Sequence, residues 1–265
     1  MSLANKTIAN TYKDLLQIDN SNNGISTSAI AIKSGDGTSS STSLSDDSLA
    51  VKPQNDDNTD VFTVKSKSNT NLFKVDSTNT VVQALGQYVN TNIQSFGMGS
   101  VNSNPSTDNW TMLGKDMGGH RFNSVPITMG SGGTPATTYD VSGGNVASNL
   151  VQSIWYLPFN ITIDSVHVWQ GADAASGDDV DYSVMSYAIS TANDATGGDL
   201  SDGVQVAVSP STLDPFGYDR ALYQSLTVSS ANVNSGRALV ALMKAGSNNS
   251  DFTVSMQVVY HLRST

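Results

Sequence analysis

Phe62-Thr63-Val64, followed after a polar turn by Phe73-Lys74-Val75, decides how the first third of this chain is read. In each stretch two apolar side chains flank a polar one, the period of a strand with one apolar face. Val51, Phe62 and Phe73 fall eleven residues apart. Around them Ile30-x-Ile32, Leu49-x-Val51 and Val81-Val82 are set off by Gly35-Asp36-Gly37 and Asn55-Asp56-Asp57-Asn58, residues that close turns. This spacing is too short for solenoid repeats of about 20 residues or more and predicts small hairpins or a β-meander over 25–90. Each strand offers only two inward apolar groups, so one copy can hardly enclose a core, and a lone ribbon with open edges is unstable. The expectation is an intertwined trimeric β-stalk in which Phe62, Val64, Phe73 and Val75 of three chains form the shared core.

Composition narrows the function classes. Of 265 residues 38% are hydrophobic and only 14% charged, well below the usual quarter charged, so uncharged polar side chains carry much of the solubility. The 23 carboxylates outnumber 13 Lys and Arg for a net charge of −10, and no basic cluster follows a phosphate backbone, which argues against nucleic acid. No apolar run is long enough to span a membrane. The absence of cysteine excludes disulfides and thiolate metal sites. Met1-Ser2-Leu3-Ala4-Asn5-Lys6 lacks an apolar leader core, against secretory export. A chain made in the cytoplasm yet composed for the outside fits release by lysis.

Ile8, Tyr12, Leu15 and Leu16 recur at helical spacing, predicting an amphipathic helix over 7–19 within an attachment segment 1–24. Residues 91–149, rich in Gly, Asn and Ser, read as a connector. From residue 150 the pattern becomes that of an antiparallel β-sandwich or jelly roll over 150–265. Strand candidates there are 153–157, 161–169, 180–189, 204–208, 222–228 and 238–243. In the last strand Phe252, Val254, Met256, Val258 and Tyr260 alternate with mostly polar residues. The fold class is all-β, with no βαβ alternation.

The opening Ala4-Asn5-Lys6-Thr7-Ile8 through Tyr12-Lys13-Asp14-Leu15-Leu16-Gln17-Ile18-Asp19, with Asp46-Asp47-x-Leu49-Ala50-Val51-Lys52-Pro53 and Leu72-Phe73-Lys74-Val75-Asp76, resembles fibre and surface-appendage proteins of tailed bacteriophages, aquatic ones especially. Ile163-Asp164-Ser165-Val166-His167-Val168-Trp169 and Val258-Val259-Tyr260-His261-Leu262-Arg263 are similar to the terminal β-domains of such virion proteins. The resemblance implies a homotrimeric structural protein on the virion surface, one end fixed to a phage structural protein of tail or capsid and a C-terminal knob facing the host. A tail fibre and a head fibre or capsid decoration protein both satisfy it.

Chemistry in the chain is sparse. His120, His167 and His261 lie far apart without a metal-binding spacing, and no Gly-x-Ser-x-Gly elbow accompanies them. Asp178, Asp179 and Asp181, and the group from Asp194 through Asp199 to Asp202, offer oxygens that suit Ca²⁺, but neither fits a twelve-residue loop closed by Glu, and solvated turns are the plainer reading. Paired carboxylates also serve glycosidases, yet these lie in short loops with no cleft. No cofactor is expected, and the enzyme reading is set aside. Trp155, Tyr156, Trp169, Tyr182, Tyr187 and Tyr223 are expected mainly in the sandwich core. Phe216 and Tyr218, placed in a loop by Pro215 and Gly217, are the candidate receptor contact, a host surface glycan being the candidate ligand. The reading from a different class is a carbohydrate-binding module acting as a monomer.

Overall fold

The structure, a computed structural model, describes residues 16–18, 20–21, 23–99, 108–115, 127–141, 147–172, 179–214, 217–246 and 253–263. The chain divides into two compact units, 1–89 and 90–265.

In the first unit Ser- and Asn-rich turns fold short strands back on their neighbours. The result is two antiparallel four-stranded meanders: β1 (Leu16–Ile18), β2 (Ile30–Ser34), β3 (Ser39–Leu44) and β4 (Leu49–Val51), then β5 (Phe62–Lys65), β6 (Asn71–Asp76), β7 (Val81–Ala84) and β8 (Gln87–Tyr88). Strand pairing is therefore satisfied within the chain. β1 corrects the end of the helix expected over 7–19: residues 16–18 are strand, while 7–15 and 19 lie outside the described residues. Leu16 lies opposite Ser34 and Ile18 opposite Ile32, because the open edge of β2 offers backbone partners, whereas an isolated helix of about 12 to 15 residues is marginal. Leu16 is 73% exposed; Ile8, Tyr12 and Leu15 lie outside the described residues.

The two meanders share one repeated unit, longer than the eleven-residue spacing from strand to strand. Residues 30–51 and 62–83 align at a spacing of 32, with Lys33, Ser34, Thr38 and Ser45 matched by Lys65, Ser66, Thr70 and Ser77. The first hairpin turn is the same in both. Ser34 N–H donates to the Thr38 carbonyl (2.9 Å) and Gly37 N–H to Ser34 (2.9 Å), while Ser66 donates to Thr70 (2.9 Å) and Asn69 to Ser66 (3.0 Å). Gly37 (φ 92°) and Asn69 (φ 62°) take the left-handed position, which glycine and asparagine tolerate best. The eleven-residue spacing measures strand to strand; the true unit is a strand triplet.

Among the described residues of this unit Asp76 is the single buried side chain. Its carboxylate ends β6 and caps the turn into β7: it accepts the Asn79 backbone N–H and side-chain Nδ2, both at 2.9 Å, and Lys74 Nζ stands 3.7 Å away. These hydrogen bonds from Asn79, aided by the Lys74 charge, hold its pKa below the ordinary 3.8.

The second unit contains β9 (Thr91–Gly99), β10 (Asn109–Met112), β11 (Gly114–Lys115), β12 (Thr128–Ser131), a short helix α1 (Ala147–Ser153), β13 (Ile154–Tyr156), β14 (Ile161–Ala172), β15 (Val180–Ile189), β16 (Leu200–Val208), β17 (Arg220–Ser225), β18 (Thr227–Val228), β19 (Asn232–Val233), β20 (Arg237–Ala245) and β21 (Thr253–Leu262). One sheet runs β11-β9-β21-β14-β17, with β19 on β14; the other runs β12-β10-β20-β15-β16-β18, with β13 on β20. If the eight principal strands are counted in chain order, the sheets read 1-8-3-6 and 2-7-4-5, all antiparallel. This is the jelly-roll arrangement of two Greek keys.

Residues 91–149 are therefore no connector. β9 pairs with β21 from Thr91 opposite His261 to Gly99 opposite Thr253, and β10 pairs with β20. The jelly roll begins at residue 90 rather than 150. The strand is faint in the sequence because its second half has only Ser95, Gly97 and Gly99 on one face, and only Phe96 and Met98 on the other enter the core.

β20 has the sequence RALVALMKA and is buried on both faces. Leu239, Ala241, Met243 and Ala245 enter the core between the sheets. Ala238, Val240 and Leu242 enter a second core behind the sheet, with Trp110, Met129 and Leu150. That second layer is tied down by polar ends of aromatic side chains: Tyr187 OH donates to the Ala136 carbonyl (2.7 Å) and Trp110 Nε1 to Gly132 (3.1 Å). Burial pushes the Tyr182 and Tyr187 phenols up from their ordinary range, so both stay neutral donors. Among the described residues no helix is long and apolar enough to cross a membrane.

Gly203, on β16, lets this second layer close. A Cβ there would stand 2.6 Å from Tyr187 Cε1 and 2.7 Å from Thr137 Cα. Gly203→Ala is expected to lower the unfolding free energy by about 1–3 kcal/mol, the usual cost of overpacking, measured by urea denaturation followed through tryptophan emission. A second prediction concerns Asp76. With its folded pKa depressed, its contribution is complete above the ordinary 3.8 and is lost as pH falls through the lower folded value. The Asn79 amide proton is expected to shift in NMR with a midpoint below 3.8 and to show no such step in Asp76→Asn. A midpoint at or above the ordinary value would contradict the capping role.

Candidate functional site

Two surfaces stand out once register is followed residue by residue. The first lies on the second meander. Phe62 is opposite Val75 and Val64 opposite Phe73; Phe73 is in turn opposite Ala84 and Val75 opposite Val82. Residues directly opposite share a face, so Phe62, Val64, Phe73 and Val75 come together with Val82 and Ala84 as one apolar patch. The Phe62 and Phe73 rings meet edge to face with centroids 6.2 Å apart. The chain does not cover the patch: Phe62 is 42% and Val64 45% exposed. The opposite face is mixed: Lys74 reaches Asp60 (4.0 Å) and Asp76 there, beside the exposed Leu72.

The second surface is the outer face of the β9-β21-β14-β17 sheet. A bulge at Asp164, where pairing with β21 skips from Ile163 to Ser165, reverses the inward parity of β14. Ile161 and Ile163 point into the core before it, and Val166, Val168 and Gln170 after it. His167 and Trp169 are thereby turned outward, and Tyr223, opposite Trp169 on β17, stands beside them. Trp169 is 52% and Tyr223 50% exposed, which corrects the expectation that they fill the core; Tyr182 and Tyr187 do fill it. The missed signal is the even-numbered run Val166, Val168, Gln170, out of phase with Ile161 and Ile163.

These rings are held in place. Trp169 and Tyr223 have centroids 5.2 Å apart, and His167 lies nearly parallel to Tyr223 at 5.9 Å. His167 Nδ1 is 2.8 Å from Tyr223 OH and 3.1 Å from Ser225 Oγ, Tyr223 OH is 2.9 Å from Ser225 Oγ, and Ser165 Oγ is 2.9 Å from His167 Nε2. In register across the sheet from Trp169 come Ser255 and then Gly97; across from His167 come Gln257 and Ser95. A wall of rings thus stands beside a strip of small and polar residues.

The remaining candidates are scattered. Tyr218 is 72% exposed, in the loop leading into β17, with the Arg220 guanidinium 5.9 Å from its ring centre; Phe216 lies outside the described residues. Asp181 is engaged by Thr212 Oγ1 (2.7 Å) and Lys244 Nζ (3.3 Å). Asp194 caps its own turn through the Thr196 N–H and hydroxyl, which hold its pKa below the ordinary carboxylate range. Asp199 accepts the Val141 N–H (2.8 Å). Among the described residues no three His, Asp or Glu side chains converge on a common point; Asp178 and His120 lie outside them. His261 is buried against Asp164, Nδ1 to Oδ1 2.8 Å; it lies on the strand next to that of the outward His167 but opposite Thr162, several residues along.

No family model matches the chain, and no curated protein matches it. Solved structures give faint likenesses. An α-amino acid ester hydrolase aligns at 10% identity over 48% of this chain and 27% of its own, with a TM-score of 0.26, so the chain spans about a quarter of that protein. The empty head of turnip yellow mosaic virus aligns at 10% identity over 66% of this chain and 82% of its own, TM-score 0.22. The K1 cleaved adhesin domain of Lys-gingipain from Porphyromonas gingivalis W83 aligns at 17% identity over 64% and 98%, TM-score 0.19. TM-scores this low carry no argument about what the chain does.

Proposed function

We propose that this chain is a non-enzymatic structural protein on the virion of a tailed bacteriophage, a homotrimeric tail fibre or surface appendage whose C-terminal jelly roll faces the host. The observation that carries the reading is the uncovered patch of Phe62, Val64, Phe73 and Val75 in a unit that buries no apolar side chain among its described residues. Burying a Phe or Val side chain is worth about 1.5–3 kcal/mol, and sister copies of the same face are the surface most consistently at hand. Because each strand of the meander pairs with a neighbour in the chain and only the outer edges of β5 and β8 stay open, the copies would meet chiefly through side-chain faces around a threefold axis rather than by exchanging strands. The resemblance of the opening segment to phage appendage proteins agrees with attachment through residues 1–24. Three linked jelly rolls would then multiply weak contacts by avidity, roughly 10²-fold or more where geometry allows. A head fibre or capsid decoration protein is the same assembly mounted elsewhere, and electron microscopy of labelled particles separates the two.

A second reading, a monomeric carbohydrate-binding module, is favoured by the exposed Trp169 and Tyr223 alone. Light scattering distinguishes the two. The trimer reading expects three times the 27.8 kDa chain mass and, for the double variant Phe62→Ser/Phe73→Ser, a single-chain mass with the near-UV circular dichroism of the jelly roll retained. A wild-type mass of 27.8 kDa, or a variant that stays trimeric, overturns it.

A further inference from the structure

We infer that the outer face of the β9-β21-β14-β17 sheet is a binding site for a neutral glycan, with Trp169 and Tyr223 stacking on the C–H face of a pyranose ring and His167, Ser225 and Gln257 meeting its hydroxyls. This goes beyond the assembly reading, since it needs only one jelly roll.

Three observations carry it. The first is exposure out of pattern. The other outer-face positions in register with Trp169 and His167 are Ser255, Gly97, Ser225, Gln257 and Ser95, all small or polar, with Gly97 buried; Val259 and the exposed Ile93 follow in the row of Ser165. Two half-exposed aromatic rings side by side on such a face leave a large apolar area in water, the kind of patch that marks a ligand surface. The second is preorganisation. His167, Tyr223, Ser165 and Ser225 form a linked set at 2.8–3.1 Å, so the rings are fixed before a ligand arrives and little ordering entropy remains to be lost. Their hydroxyl and imidazole groups lie next to the ring surface, an arrangement that suits a molecule with an apolar face and a polar rim. A sugar ring has both, its axial C–H groups on one face and hydroxyls at the edge.

The third is charge. None of the named positions on this face carries a formal charge unless His167 is protonated, and the chain as a whole is at −10. An acidic polysaccharide would meet a repulsive field with no cation in these rows to offset it, and a nucleic acid strand would lack the basic track it needs. A neutral hexose or N-acetylhexosamine polymer meets no such penalty, and Ser255, opposite Trp169, is a small neighbour for a ring lying against the indole.

The test is titration of the full-length chain with neutral oligosaccharides of glucose, mannose, galactose and N-acetylglucosamine and with an oligogalacturonate as the acidic comparison, read by calorimetry and tryptophan emission. Binding of at least one neutral oligosaccharide is expected. Trp169→Ala and Tyr223→Ala should each weaken it about tenfold or more, and Tyr156→Ala, exposed on β13 of the other sheet, should not change it. Trp169 is half exposed, so Trp169→Ala should melt at the wild-type temperature, and its mass by light scattering should match wild type whether or not that mass is a trimer. The inference is overturned by no neutral binding at about 10 mM sugar, by tighter binding of the acidic oligomer, or by equal losses in Trp169→Ala and Tyr156→Ala. A mass change in Trp169→Ala would assign the face to contact between copies and overturn it as well.

Discussion

Hydrophobic burial in this chain runs from Phe96 to Tyr260 among the described residues, and the architecture follows from that confinement. Within it, β20 is packed from both sides. Its odd-numbered residues close the space between the two sheets and its even-numbered residues hold the layer that carries Trp110, Met129 and Leu150. A strand buried on both faces must be apolar throughout, which is why its sequence lacks the alternation seen in β21. The jelly roll has all it needs to be stable alone. The unit before it does not: turns and backbone pairing order its strands, but hydrogen bonds exchanged for water contribute little net stability, and its one apolar face finds no cover in its own chain.

The legible part of the fold was the part with simple periodicity. β21 shows strict alternation, and the described strand from Thr253 to Leu262 follows it. Phe62, Val64, Phe73 and Val75 show the same period and do share a face. What could not be read from local pattern depended on partners far along the chain. β9 looks like linker because Ser95, Gly97 and Gly99 leave Ile93 as its one bulky outward residue; its identity comes from β21, more than 150 residues away, whose open edge it completes. β1 reads as helix because Leu15 and Leu16 sit at helical spacing, yet Leu16–Ile18 finds its partners on β2. The 32-residue repeat was visible in principle, by laying Lys33-Ser34 over Lys65-Ser66, but identity at a few turn residues is a faint trace when the faces between them differ.

The candidate glycan face shows the same limit at the scale of one residue. Side-chain parity in a strand is absolute until a bulge interrupts it, and then every later residue changes sides. Read straight through from Ile161 and Ile163, β14 would send His167 and Trp169 into the core. Asp164 absorbs the extra residue instead, its carboxylate engaged by His261 at the inner end of β21. The neighbouring pair on β17 then becomes intelligible: Gln224 points inward, its amide donating to the Ser211 carbonyl, so Tyr223 and Ser225 must face out. A bulge on β14 and the regular alternation of β17 thus deliver three rings to one place.

The two surfaces differ in how they can be satisfied. The Phe62 patch is aliphatic and aromatic without polar groups at its centre, so water is its least favourable neighbour and another apolar face its best; a small polar ligand would gain little there. The Trp169 patch is mixed, with hydroxyl and imidazole groups interleaved between rings, so a purely apolar partner would strand those polar atoms at a cost of about 1–3 kcal/mol each. A ligand that alternates C–H and O–H groups avoids that cost. The first face therefore suits an apolar partner and the second a ligand with mixed C–H and O–H groups, and a substitution on either should leave the other's behaviour intact, because the two belong to different compact units.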